Sequence, residues 1–94
     1  MTRNRKEIKT SVEEKLKREH PCLILDGRPT FRTSSGGYIR LDTLGGADNG
    51  IIIEWAENLE EAKNNRFEDD DLFPVDAFSD DEITNEIKRA IAEY

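Results

Sequence analysis

The chain has few of the residues on which most protein chemistry depends. Its 94 residues include a single cysteine, Cys22, and a single histidine, His20. A lone cysteine excludes an internal disulfide and is typical of a reducing compartment, so we predict a cytoplasmic protein. A structural zinc site takes four ligands, more than one cysteine and one histidine supply. We therefore expect no metal and no cofactor.

Nucleophilic catalysis finds equally little support. His20 and Cys22 are close in sequence, but Pro21 between them forces an extended link and no third group is placed to orient the histidine. A histidine at a helix end and a core cysteine account for both residues. The paired glycines, Gly36-Gly37 and Gly45-Gly46, precede a strand and a turn rather than a helix, so hairpins explain them better than a phosphate loop. We predict that the protein is not an enzyme.

Long apolar runs are also missing. No stretch approaches the roughly 18 apolar residues of a membrane span. No apolar run follows the basic residues at the start of the chain, so the sequence predicts neither a signal peptide nor a membrane association.

Charge is abundant, and it is sorted by sign along the sequence. Residues 1–40 carry a net charge of +5 and residues 41–94 a net charge of −12, which gives the −7 of the whole chain. The segment 67–82, termed the acidic window, contains eight acidic residues and no basic one. Such a field repels anions and attracts cations. The charge therefore argues against direct nucleic-acid binding and favours a basic protein partner.

The apolar pattern of the first half predicts a helix followed by strands. Apolar residues recur every four positions over residues 6–19, which is typical of a helix that lies on a sheet. The apolar run over residues 22–25 predicts a buried strand. Alternation over residues 38–44 and the β-branched run over residues 51–55 predict an antiparallel pair. These segments form a meander of three to four strands.

Two helices are predicted after the strands. The first runs from Leu59 to about Phe67, and the second begins after Ser79, which forms a capping box with Glu82. The sequence therefore predicts a single α+β domain, residues 1–94, with residues 1–5 ragged. Its N-terminal helix, antiparallel meander and two C-terminal helices would pack as two layers.

An apolar stretch, residues 72–78, interrupts the acidic window in what we predict to be a loop between these helices. Its side chains either anchor the loop on the core or form an exposed patch that docks a partner. Trp55, which has acids on both sides, lies on the neighbouring predicted strand. Its side chain likewise either packs on the core or contributes to an exposed patch that docks a partner. An aromatic patch ringed by acids suits a basic partner. The candidate partner-binding residues are Glu54, Trp55, Glu57, Glu61, Glu68, Asp69, Asp70, Asp71, Phe73, Asp76 and Phe78.

These features favour a small acidic binding protein that occludes a basic partner, as an immunity-type inhibitor of a toxin does. The segment from Ile51 to Asp76 resembles small bacterial immunity-type proteins, without a motif that assigns roles to residues. A nucleic-acid mimic is a close variant of this function. A further alternative is a non-catalytic subunit or ligand-binding module that uses the arginine-bearing sheet, on which Arg28, Arg32 and Arg40 alternate with aromatic residues.

Overall fold

The computed structural model describes residues 4–46 and 49–94. Their helices and strands follow in the order α1 (Arg5–Glu19), β1 (Cys22–Leu25), β2 (Arg28–Arg32), β3 (Tyr38–Leu44), β4 (Gly50–Ala56), α2 (Leu59–Lys63), β5 (Glu68–Pro74) and α3 (Asp80–Glu93). Of the residues predicted to be ragged, Arg5 begins α1 and Asn4 caps it, while residues 1–3 lie outside the described part. The α+β architecture is as predicted.

The strands form one antiparallel sheet in the order β1-β2-β3-β4-β5. Helices α1 and α3 contact each other on one face, here termed the helix-covered face. Helix α2 packs against the opposite face, termed the open face, where Ala62 meets Tyr38 and Ala56. None of the described helices is long and apolar enough to cross a membrane.

The main core lies between the sheet and the two long helices. The predicted stripe of α1 is buried, and so is the stripe of α3. The residues of this core include Ile8, Val12, Leu16, Phe31, Ile39, Leu41, Ile51, Ile53, Ile83, Ile87 and Ile91. Burial of such a side chain stabilises the fold by about 1.5–3 kcal/mol, so this layer fixes both helices on the sheet.

The start of α3 confirms the predicted capping box. The Ser79 hydroxyl accepts a hydrogen bond from the Glu82 N–H at 3.1 Å, and the Glu82 carboxylate accepts one from the Ser79 N–H at 3.0 Å. These bonds satisfy two backbone donors that a helix start leaves unpaired, and they hold the pKa of Glu82 below its ordinary value.

Substitution of Ser79 by alanine is expected to lower the free energy of unfolding by about 1 kcal/mol, because the cap is lost. Urea unfolding measures the change. Ser11→Ala is the matched control, since Ser11 lies inside α1, where alanine is the better helix former. Equal stability of the two variants would contradict the role assigned to the cap.

Strand β5 corrects the prediction of a meander of three to four strands, in which this segment is a loop between the two helices that follow. It occupies part of the acidic window, and its apolar end pairs with β4, where Phe73 lies opposite Ile51 and Leu72 opposite Ile52. Acidic residues disfavour strands, but an edge position leaves them in water while the apolar residues are buried. The last two helices are consequently separated by a strand, and the first of them, α2, ends at Lys63.

Strand β1 corrects the prediction of a buried strand. It lies at the edge of the sheet, where Leu23 is 44% and Ile24 60% exposed. The apolar run predicts burial, but α1 contacts β3 and β4, which are the central part of the sheet. The helix layer therefore leaves the outer strand largely uncovered.

Candidate partner-binding surface

Strand β5 brings the densest acids of the chain to one edge of the sheet. Glu68, Asp69, Asp70 and Asp71 follow one another along this strand, and all are exposed. The strand pairs with β4 and is the last in the sheet, so its outer side is free. Since side chains of a strand alternate between faces, the carboxylates flank both sides of this edge. We term these four residues the acidic edge.

The acidic edge keeps its charge uncompensated. Several acids elsewhere are paired with bases, as in Lys15–Asp81 at 2.8 Å and the contact between Lys88 and Glu19. Within residues 4–46 and 49–94, no residue of the acidic edge makes an ion pair. Four like charges on neighbouring residues create a strongly negative potential at this side of the molecule.

Two aromatic side chains lie beside the acidic edge. Trp55 faces Glu68 in the strand register, and its ring meets that of Tyr94 edge to face at 6.5 Å. The Tyr94 hydroxyl donates a hydrogen bond to Asp70. Burial, together with this bond, raises the pKa of Tyr94, so the hydroxyl stays protonated and remains a donor.

The indole of Trp55 has a close neighbour that limits its orientation. A Cβ on Gly37 would approach the indole Nε1 to 2.8 Å and the carbonyl oxygen of Ala56 to 2.9 Å. Glycine therefore permits the turn after β2 to lie against the ring. The Nε1 atom is buried and makes no hydrogen bond to the described residues, while the ring as a whole is half-buried. Trp55 thus joins the core to the acidic edge.

Glu54 was among the predicted partner-binding residues, and the structure places it in an internal ion-pair cluster on the open face. Its Oε1 accepts hydrogen bonds from Arg28 Nη2 at 2.8 Å and from Arg40 Nε at 3.0 Å. The side chain is 12% exposed, and the Arg40 guanidinium also lies 3.9 Å above the ring of Phe67. Glu54 therefore neutralises arginines of its own chain.

The two phenylalanines belong to the core. Phe73 is 8% exposed and packs in the main cluster, and Phe78 contacts it edge to face with the ring centres 5.7 Å apart. Of the alternatives considered for residues 72–78, these side chains take the anchoring one. Asp76 lies exposed in the turn that follows β5.

The two remaining predicted residues, Glu57 and Glu61, lie outside β5. Glu61 is on α2, where its carboxylate is 3.6 Å from Arg66 Nη1. Glu57 is exposed directly after β4. The structure thus brings together the acidic edge, Trp55 and Tyr94. Sequence reasoning missed Tyr94, because its helical spacing indicated only that it lies on the buried face of α3.

The described residues include no group of three or more histidine, cysteine, aspartate or glutamate side chains placed to hold a metal ion. The acidic edge is a row of carboxylates rather than a convergent cluster, so what it can do chemically is attract and hydrogen-bond cationic side chains. Comparison with protein-family models, curated proteins and solved structures finds no match to this chain.

Proposed function

We propose that this is a small acidic protein of the cytoplasm that binds a basic protein partner along β5 and occludes its surface, as an immunity-type inhibitor does. One observation carries the proposal: four consecutive exposed acids, which form no ion pair with any other described residue, lie on the outer edge of the sheet. If the acids served only solubility, they could be spread over the helices, where several acids form ion pairs with bases.

Electrostatics and packing have separate roles in this proposal. The acidic edge speeds encounter with a positive surface, because complementary charges raise association rates and suppress partners of the wrong sign. Once formed, the complex is held together by desolvated anchor side chains, and tryptophan and tyrosine are among the commonest anchors. Trp55 and Tyr94, both half-buried beside the acids, are placed for this role. Phe73 supports the edge from beneath.

The same surface serves the nucleic-acid-mimic variant, in which the partner is a protein whose basic site otherwise holds phosphates. The alternative of a ligand-binding module on the arginine-bearing sheet has less support from the geometry. Arg28 and Arg40 direct their donors at Glu54, which leaves Arg32 as the exposed arginine of the three.

Neutralising the acidic edge is expected to weaken partner binding roughly 10- to 100-fold, at about 0.5–1 kcal/mol for each exposed carboxylate. The variant is Asp69, Asp70 and Asp71→Asn. The partner is captured from lysate of the source cells on the immobilised wild-type chain, eluted with a salt gradient and identified by mass spectrometry. Its affinity for the variant is then measured at low and at physiological salt, because screening weakens exposed charge contacts.

A matched control separates the acidic edge from net charge. Glu7, Glu14 and Glu86→Gln removes the same charge from the two long helices, away from Tyr94. We expect this control to bind the partner nearly as tightly as the wild type. Equal weakening of both variants, or unchanged binding by the aspartate variant, would contradict a binding role for β5 and leave its acids as guards of an exposed edge.

A further inference from the structure

The edge formed by β1 lacks the devices that keep edge strands apart. Natural edges carry charges, prolines or bulges that discourage pairing with another chain. The acidic edge of β5 is guarded in this way, whereas β1, Cys22–Leu25, contains no charged residue. Two of the three large apolar residues that are exposed in the described part, Leu23 and Ile24, lie on β1. This edge is therefore open and apolar.

The register with β2 shows which backbone groups of β1 face outward. Ile24 lies opposite Pro29, which has no N–H, so these two residues form a pair without hydrogen bonds. In an antiparallel ladder, hydrogen-bonded and non-hydrogen-bonded pairs alternate, so Leu23 and Leu25 bond inward to β2. The N–H and C=O groups of Cys22 and Ile24 consequently point away from the sheet.

We propose that a second copy of this chain pairs with β1 in antiparallel orientation, with the two-fold axis at Leu23. Cys22 then lies opposite Ile24 of the second copy, and the reciprocal pair forms by symmetry. Each pair exchanges both backbone hydrogen bonds, so every outward group of these residues is satisfied. In a register shifted by one residue, the outward N–H and C=O groups of one copy would face residues of the other copy whose N–H and C=O groups already bond to β2.

The side chains agree with this register. The two Leu23 side chains meet at the axis in a non-hydrogen-bonded pair, where strands approach most closely. Pro21 falls opposite Leu25 of the second copy, at a position that needs no N–H. His20 is extended, with φ −130° and ψ 135°, so the chain continues the line of β1 beyond Pro21 and runs toward the Asp26-Gly27 turn of the second copy.

Two other registers keep the same alternation of outward groups, and both are less complementary. An axis at Cys22 sets Leu25 against the end of α1, and an axis at Ile24 sets Cys22 against the Asp26-Gly27 turn, whose residues have positive φ and leave the strand. The axis at Leu23 joins the two five-stranded sheets into one and keeps the acidic edges at its opposite ends, where their mutual repulsion is weakest.

Light scattering on the full chain tests the dimer. At high micromolar concentration we expect twice the 10.8 kDa of the single chain. Ile24→Lys is expected to give a monomer that melts at the same temperature as the wild type at low concentration, where the wild type is monomeric too, since the side chain is 60% exposed. Leu44→Lys, at a position 38% exposed on β3, is the control and should remain dimeric. A wild-type monomer, or a dimer that Ile24→Lys leaves intact, overturns the proposal.

Cysteine crosslinking tests the register. Leu23→Cys in a Cys22→Ser background should form an intermolecular disulfide on mild oxidation, because a non-hydrogen-bonded pair sets the Cα atoms about 4.5 Å apart, within disulfide range. Leu44→Cys in the same background should not. The wild-type chain is oxidised in parallel, and efficient crosslinking through its native Cys22 would place the axis at that residue and refute the register. The acidic edge lies on the opposite strand, so the aspartate variant should stay dimeric, and loss of partner binding is distinguishable from loss of the dimer.

Discussion

Replacement of Phe73 by alanine is expected to lower the free energy of unfolding by about 3–5 kcal/mol, the usual loss for a buried phenylalanine. Phe73 is 8% exposed, lies opposite Ile51 and contacts Phe78 in a T-shaped ring pair. The first four residues of β5 are exposed acids, so the apolar end of the strand supplies most of its attachment. In a domain whose whole stability is typically about 5–15 kcal/mol, this variant is only marginally folded.

Urea unfolding followed by tryptophan fluorescence measures this loss, and the single Trp55 reports on β4 beside β5. Leu72→Ala is the matched control, because Leu72 lies one residue earlier on the same strand and is half-buried rather than buried. We expect the control to lose less than half as much stability. A Phe73→Ala variant of nearly wild-type stability that no longer binds the partner would show that Phe73 is a contact residue.

Periodicity and capping predict α1 and α3 well, since both signals lie within a few residues, whereas α2 ends four residues before its predicted end. The repeats of Ile8, Val12 and Leu16 indicate the buried stripe of α1, and Ser79 with Glu82 marks the start of α3. Alternation likewise predicts β3, and the β-branched run predicts β4, including their antiparallel pairing. In each case local sequence and tertiary packing favour the same structure.

Strand β5 is not predictable in the same way. Its acids disfavour a strand locally, and the pairing that outweighs this preference is made with β4, across the intervening helix α2. The ion pairs of Glu54 are not predictable either, because its arginine partners are 26 and 14 residues away in sequence. Without knowledge of the strand register, an acid in an acid-rich segment is expected to lie on an exposed face. The sequence therefore predicted Glu54 to be part of the binding surface.

Replacement of Glu54 by alanine is expected to lower the free energy of unfolding by about 3 kcal/mol or more, because it leaves a buried charge without its partner. Arg40 is 5% exposed, and its Nε bonds to the carboxylate that this change removes. Arg28 loses the same oxygen and retains its bond to the Leu41 carbonyl oxygen at 2.8 Å, with the Asp42 carboxylate at 3.9 Å. Two cations then remain close together on the open face with little compensation. Urea unfolding measures the loss.

Removal of the arginine instead of the glutamate is expected to lower the free energy of unfolding by less. Arg40→Met leaves Glu54 bonded to Arg28 at 2.8 Å and sets an apolar chain of similar length against Phe67. We expect a loss of about 1 kcal/mol, since replacement of a buried charge by an apolar group is often nearly neutral. The asymmetry between the two single variants is the diagnostic result.

The double variant, Glu54→Ala with Arg40→Met, separates an internal role for Glu54 from a partner contact. If the penalty of Glu54→Ala comes from the unpaired Arg40, removing that arginine should restore part of the lost stability. Glu54 also lies opposite Asp69, and like charges facing each other across strands destabilise a sheet unless they are neutralised. Both variants that lack Glu54 lack this repulsion, so it does not contribute to the difference between them. The arginines thus allow the acidic edge to pair with β4. A Glu54→Ala variant that keeps its stability but loses the partner would instead return Glu54 to the binding surface.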